Sequence, residues 1–187
     1  AVALALLLGA CAAGTDPSGA YGPSADIAVP ADAGADVAER VPSASARAEA
    51  ASVAARFQKE LGAALQSAIA AGGPVAAIEV CSEAAPAIAA RISQDGGWSV
   101  RRVGTRVRNP ASGRPDAWES ARLAEFERRL AAGERPDGVE VHAIVDDAGA
   151  ATERYMKAIT TAPLCLACHG DPAAQSPELR AKLAERY

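Results

Sequence analysis

Apolar residues return every third or fourth position over several stretches of this chain, alternate with polar ones over another, and run unbroken at its start. Across residues 45–71, Val53, Phe57, Leu61, Leu65 and Ile69 recur every four residues, which lines them along one stripe and predicts a long amphipathic helix. Gly72-Gly73-Pro74 is its expected stop. In residues 74–93, Ile78, Cys81, Ala85, Ile88 and Ile92 follow spacings of three and four, so Cys81 falls on the buried side of a second helix. Pro86 cannot donate to the carbonyl of Ser82, and this helix is expected to kink or restart just past Cys81. Residues 98–107 read as a strand pair or a strand bent around Gly104. Residues 116–132 read as a third helix with Trp118, Phe126 and Leu130 on one side, and Ser176-Pro177-Glu178 opens a last helix that runs to Tyr187. Between them, Val139, Val141, Ala143 and Val145 alternate with Glu140, His142, Ile144 and Asp146, a period of two. Asp147-Ala148-Gly149 turns the chain and residues 152–159 return as the second strand of a hairpin. The pattern defines an α+β domain: an antiparallel sheet flanked by helices and preceded by a long N-terminal helix.

The unbroken run, AVALALLLGAC at residues 1–11, is too short to span a bilayer but suits the core of a signal peptide. It closes on Leu8-Gly9-Ala10-Cys11, the small-residue pattern at which bacterial lipoproteins are cleaved and lipidated. Cys11 is therefore the expected lipid anchor, hanging the domain from the periplasmic side of a membrane without spanning it. The alternative is a buried apolar helix ending at a core cysteine, and nothing after Cys11 continues a helical pattern. With no initiator Met and no basic residues ahead of the run, the sequence is expected to begin inside its own signal peptide. Residues 12–44, rich in Ala, Gly, Pro, Ser and Asp, read as a disordered tether with a reach on the order of 30 Å. Residues 45–187 are the one domain.

Composition narrows the function. Half of the 187 residues are apolar, enough for a core, but alanine inflates that share. Only two Phe, two Trp, three Tyr and one Met are present, which leaves a bound apolar group room to supply the missing bulk. A formal charge of −4 gives no basic footprint for nucleic acid. No P-loop, dinucleotide fingerprint or serine-hydrolase elbow occurs, and no enzyme is expected.

Near the C-terminal end stands Cys165-Leu166-Ala167-Cys168-His169. Two thiols separated by two residues can each add to a vinyl group of a haem, and the adjacent histidine reaches the iron from the same side. A zinc site or a redox dithiol is the alternative. Adjacent Cys168 and His169 make an awkward pair for one tetrahedral zinc, and a thioredoxin-like pair belongs where a strand feeds a helix of a βαβ unit. The export signal also supplies the compartment that haem attachment needs. One covalent haem c, attached at Cys165 and Cys168 with His169 on the iron, is the expectation.

Cys81 is the cysteine left over. A lone cysteine on an apolar face is most often a small core residue, whereas an unpaired one in an oxidising compartment asks for a role. Arg101, Arg102, Arg106 and Arg108 form a basic cluster in an acidic protein. Guanidinium suits the two carboxylates of a haem, with Arg106 and Arg108 as the candidate propionate partners, and a solvated strand face is the competing reading. His142, opposite the valines, reads as an exposed strand residue, and Met156 as core filling.

Taken in order, Ala-Ile-Glu-Val-Cys at 77–81, Arg-Val-Arg-Asn-Pro at 106–110, Pro-Asp-Ala-Trp-Glu at 115–119, the hairpin, and Pro-Leu-Cys-Leu-Ala-Cys-His-Gly at 163–170 resemble a bacterial family of single-haem domains. These are the PAS-like c-haem domains first described structurally in cyanobacteria, otherwise a domain of unknown function. The resemblance covers about residues 45–187. It implies a PAS-like fold and an iron held between the histidine of the motif and a cysteine of an upstream helix, here His169 and Cys81. It further implies electron transfer or redox sensing with a partner protein that the sequence does not name. A diatomic-gas-sensing haem module, a peroxidase-like haem enzyme and a zinc-binding structural domain are the other readings. A four-helix cytochrome is opposed by the alternation at residues 139–146. Members of the family usually continue past the last helix into a closing strand, where this sequence stops at Tyr187.

Overall fold

The structure, a computed structural model, describes residues 2–9, 40–107, 109–147 and 149–187. Ser43 starts the first helix, α1 (Ala44–Glu79), by accepting from the Ala46 amide at 3.2 Å, and so satisfies one of the amides that a helix start leaves unbonded. The helix does not end at its two glycines. It breaks there, with Gly72 at φ −152° and Gly73 at φ 70°, and resumes from Pro74, a residue whose missing amide costs nothing in a first turn. A Cβ at Gly72 would lie 2.8 Å from that of Ala76, so the first glycine is required for space and the second for its left-handed backbone.

Past Glu79 the chain widens into a π-helical turn, Val80–Ala84, in which the Ala85 amide reaches back to the Val80 carbonyl, and then tightens into α2 (Ala85–Gly96). Pro86 explains the widening, because it has no amide to close the ordinary helical repeat onto Ser82. The expected break past Cys81 thus takes the form of one wide turn with Cys81 inside it. Gly97, at φ 69°, reverses the chain into β2 (Trp98–Gly104).

A single turn, α3 (Pro110–Gly113), leads to α4 (Ala117–Ala131). Its start is a capping box in which Asp116 accepts from the Glu119 amide and Glu119 from the Asp116 amide, both at 2.8 Å. The predicted hairpin forms from β3 (Glu140–Asp147) and β4 (Ala150–Thr160), antiparallel with Val141 opposite Met156. One-turn α5 (Leu166–His169) and α6 (Pro177–Arg186), capped by Ser176, complete the described chain.

The sheet is mixed, in the order β2-β1-β4-β3, rather than antiparallel throughout. Its first strand, β1 (Val2–Gly9), lies between β2 and β4 and runs parallel to both, with Val2 opposite Trp98 and Ala3 opposite Arg154. The run read from sequence as an export signal therefore takes a place in the sheet. Cys11 and most of the expected tether lie outside the described residues. At the far end of that stretch, Arg40 and Ile144 exchange backbone hydrogen bonds of 3.0 and 2.9 Å.

Both faces of the sheet are covered. Tyr155 and Met156 are successive residues of β4 and both are fully buried, because neighbours on a strand point to opposite faces. Tyr155 joins Ala50, Ala54, Phe57 and Leu61 of α1, Ala89 and Ile92 of α2, and Trp98. Met156 joins Val103, Leu123, Phe126 and Val139. The second covered face corrects the expectation for His142. Its side chain is 4% exposed, Nε2 lies 2.7 Å from Glu153 Oε1, and its ring meets the edge of Tyr155 at 5.6 Å.

One carboxylate ties α1 to the hairpin. Glu140 accepts from Arg47 Nη2 at 2.6 Å, from the Tyr155 hydroxyl at 2.6 Å and from Lys157 Nζ at 3.2 Å. Burial alone would raise its pKa, but the three donors outweigh burial and hold the carboxyl at about 2, against an ordinary 4.5. A folded-state pKa below the unfolded one gives stability that is complete above about 4.5 and lost as pH falls toward 2. Discounted for partial exposure, that loss is on the order of 2 kcal/mol. Urea midpoints taken from pH 5 to pH 2 should therefore fall more steeply for the wild type than for Glu140→Gln. Parallel curves would refute the assignment.

Candidate functional site

Beside the first core, the inner ends of these elements leave a cavity of about 540 Å³, within the range that holds cofactor-sized ligands. One wall is α1 and its continuation past the glycine break, with Leu61, Leu65, Ile69 and Ile78. Cys81 on the wide turn and Ala85 and Ala89 of α2 adjoin it. Opposite stand the end of β2 with the loop that follows, then Ile159, Cys165, Ala167, Cys168 and His169, with Leu183 and Tyr187 closing the side. The lining is largely apolar, and four of its members are three cysteines and a histidine drawn from positions up to 88 residues apart in the sequence.

The local sequence explains how Cys165 and Cys168 come to one wall. Pro163–Cys165 forms a tight 3₁₀ turn that runs straight into α5, and residues three apart on a helical turn share a face. Gly170 must follow, since a Cβ there would sit 2.4 Å from the Leu166 carbonyl oxygen, onto which the Gly170 amide closes at 2.8 Å. The turn is held from outside by Gln175, itself 7% exposed, whose Nε2 donates to the Cys168 carbonyl at 2.9 Å. Cys168 Sγ lies 3.9 Å from the Pro74 carbonyl and packs beside Ile78, Leu179 and Leu183.

The arginines divide. Arg101 lines the cavity but is already committed to Glu119, with Nε 3.0 Å from Oε1 and a second contact between Nη2 and Oε2. Glu119 is fully buried, and burial pushes its carboxyl up against the opposing pull of Arg101 and Arg154. Arg102 and Arg106 also line the cavity and, among the described residues, pair with no carboxylate. Arg108 lies outside the described residues. Met156 fills the core on the far face of the sheet, as expected, and His142 is engaged with Glu153.

Sequence reasoning had no means of separating Arg101 from its neighbours. The one available signal was the capping box at Asp116, which brings Glu119 to the start of α4. Among the described residues, no group of three or more His, Cys, Asp and Glu side chains is gathered tightly enough to hold a bare ion. The potential donors instead face a shared space.

The fold and site define a class: an α+β domain whose helices and sheet enclose an apolar cavity lined by thiols and an imidazole. The family model described as Tll0287-like matches residues 33–187, and the chain belongs to that family, a domain of unknown function named for a cyanobacterial protein. No curated protein and no solved structure matches the chain.

Proposed function

We propose that this chain is a c-type haem protein of PAS-like architecture, anchored by lipid to the periplasmic side of a bacterial membrane and working in electron transfer or redox sensing. The observation that carries the reading is the convergence of Cys165, Cys168, His169 and Cys81 on one cavity of about 540 Å³. Cys165 and Cys168 would hold the group through thioethers, and His169 and Cys81 would be the donors to its iron. Arg102 and Arg106 line the cavity, pair with no carboxylate among the described residues, and would take the propionates. Arg106 and Arg108 were expected in that role from sequence; Arg108 lies outside the described residues, and Arg102 joins Arg106 as a candidate. The haem would supply one-electron exchange. The protein would supply two donors for the iron, an apolar lining that keeps water away, and cations that neutralise carboxylates. A closed iron suits a carrier or redox sensor, whereas an enzyme needs an open position, so no catalytic residue is assigned.

Protein matured with haem-attachment machinery should show a Soret band and a low-spin ferric EPR signal. Absence of the Soret band would reject haem and favour a zinc-binding structural domain.

The anchor is tested separately. Cleavage ahead of Cys11 removes β1, so the two uses of Val2–Gly9 exclude each other in a mature chain, and the mass of the mature N-terminus separates them. Acylated Cys11 is expected there, and Cys11→Ser should retain the leader and lose acyl labelling. Unchanged acyl labelling in that variant, or a mature N-terminus that still carries Val2–Gly9 in the wild type, would overturn the anchor.

A further inference from the structure

We infer that Arg186 is a positioning residue for Cys81, and that α6 is the clamp that holds the wide turn against the cavity. The inference rests on the reading of Cys81 as an iron ligand. Cys81 lies inside a π-helical turn, a rare geometry that helix propensity alone does not sustain and that therefore needs support from outside itself. The next two residues receive that support. Arg186 donates from Nε to Ser82 Oγ at 3.0 Å and pairs through Nη2 with Glu83. Ser82 passes the bond on, donating from Oγ to the Glu79 carbonyl at 3.4 Å. One guanidinium is thus bound across the turn that carries the thiol.

The clamp is itself seated. Leu179, Leu183 and Arg186 are spaced i, i+4 and i+7, which places them along one face of α6. Leu179 and Leu183 are 3% and 6% exposed and pack on Ile78, ahead of the wide turn, and beside Cys168 of the C-x-x-C-H motif. The same helix therefore touches both thiol-bearing walls, and Leu183 and Tyr187 reach the cavity directly. The apolar pair fixes where α6 lies, while Arg186 fixes how the turn meets it. Arg186 and Glu83 are 41% and 64% exposed, so their pair is of the modest surface kind, and its loss should disturb the turn without unfolding the domain.

The test reads each cysteine separately by alkylation and peptide mass mapping of the full-length, cofactor-free chain. Arg186→Ala should speed modification of Cys81 about two- to fivefold, the range a surface ion pair carries, while Cys165 keeps its rate and thermal unfolding is unchanged. Arg186→Lys, which keeps the charge but not the two-point geometry, should fall between. In the matured protein, Arg186→Ala should broaden the low-spin EPR signal and shift the potential at an unchanged melting temperature. An unaltered Cys81 rate, or equal acceleration of Cys81, Cys165 and Cys168, overturns the inference. Because alkylation needs no haem, a protein that matures without a Soret band would defeat the functional reading while leaving the alkylation result to decide on Arg186.

Discussion

Replacing Cys81 with alanine is expected to convert the ferric protein from low-spin to high-spin, raise its potential and open a position to carbon monoxide in the reduced state. The half-buried thiol sits at the wall of a largely apolar cavity. A metal held against a thiol keeps it deprotonated. A thiolate so held stabilises the ferric state, and its removal should move the potential upward by on the order of 100 mV, within the span of about 0.8 V that axial ligation covers. Electron paramagnetic resonance and a redox titration of the matured variant read both effects. If the low-spin signal and the potential survive, Cys81 is only part of the wall. Neither Met156 nor His142 would then step in as a ligand, because Met156 fills the opposite core and His142 is engaged with Glu153.

Replacing Cys165 and Cys168 together should abolish covalent retention altogether: acid acetone should extract the haem, and none should travel with the chain in denaturing electrophoresis. The wild type should keep its haem under both conditions, and haem lost from it there would refute attachment. The single variants should differ in a second way. Both are half-buried, but Cys168 packs with Ile78, Leu179 and Leu183 while Cys165 lies outside that cluster. Cys168→Ala should therefore lower the melting temperature of the cofactor-free chain more than Cys165→Ala does.

What was legible in the sequence was local. The alternation at residues 139–146 gave the hairpin because a strand repeats every two residues whatever it packs against, and Pro86 marked the break beside Cys81 because a missing amide is a local fact. The long helix was legible but not all of its core: Ala50 and Ala54, both fully buried, share a core with Trp98, Val100 and Tyr155 of the sheet, where small side chains allow approach and a pattern of large apolar residues passes them over. The burial of His142 depends on α1 covering the second face of the sheet, and the commitment of Arg101 depends on Glu119, 18 residues away on another element. The order of the strands, with β1 between β2 and β4, is long-range pairing that no periodicity encodes. The Cys-x-x-Cys-His spacing was legible residue by residue, whereas its nearness to Cys81 was implied only by the family resemblance, because the packing of Leu179 and Leu183 with Ile78 and Cys168 is long-range.

The broken point of α1 also bears on how sequence variation should be read in this protein. Gly72 is exposed and Gly73 half-buried, so a ranking of positions by solvent access would count both as tolerant. Neither is. Gly72 has no room for a side chain, with Ala76 2.8 Å from its would-be Cβ, and Gly73 has open space but a backbone at φ 70° that side chains disfavour. Gly170 carries the same kind of restriction at the other end of the cavity. The positions most resistant to substitution around this site thus include three that bear no functional group at all, and intolerance at them would report the shape of the main chain rather than any chemistry.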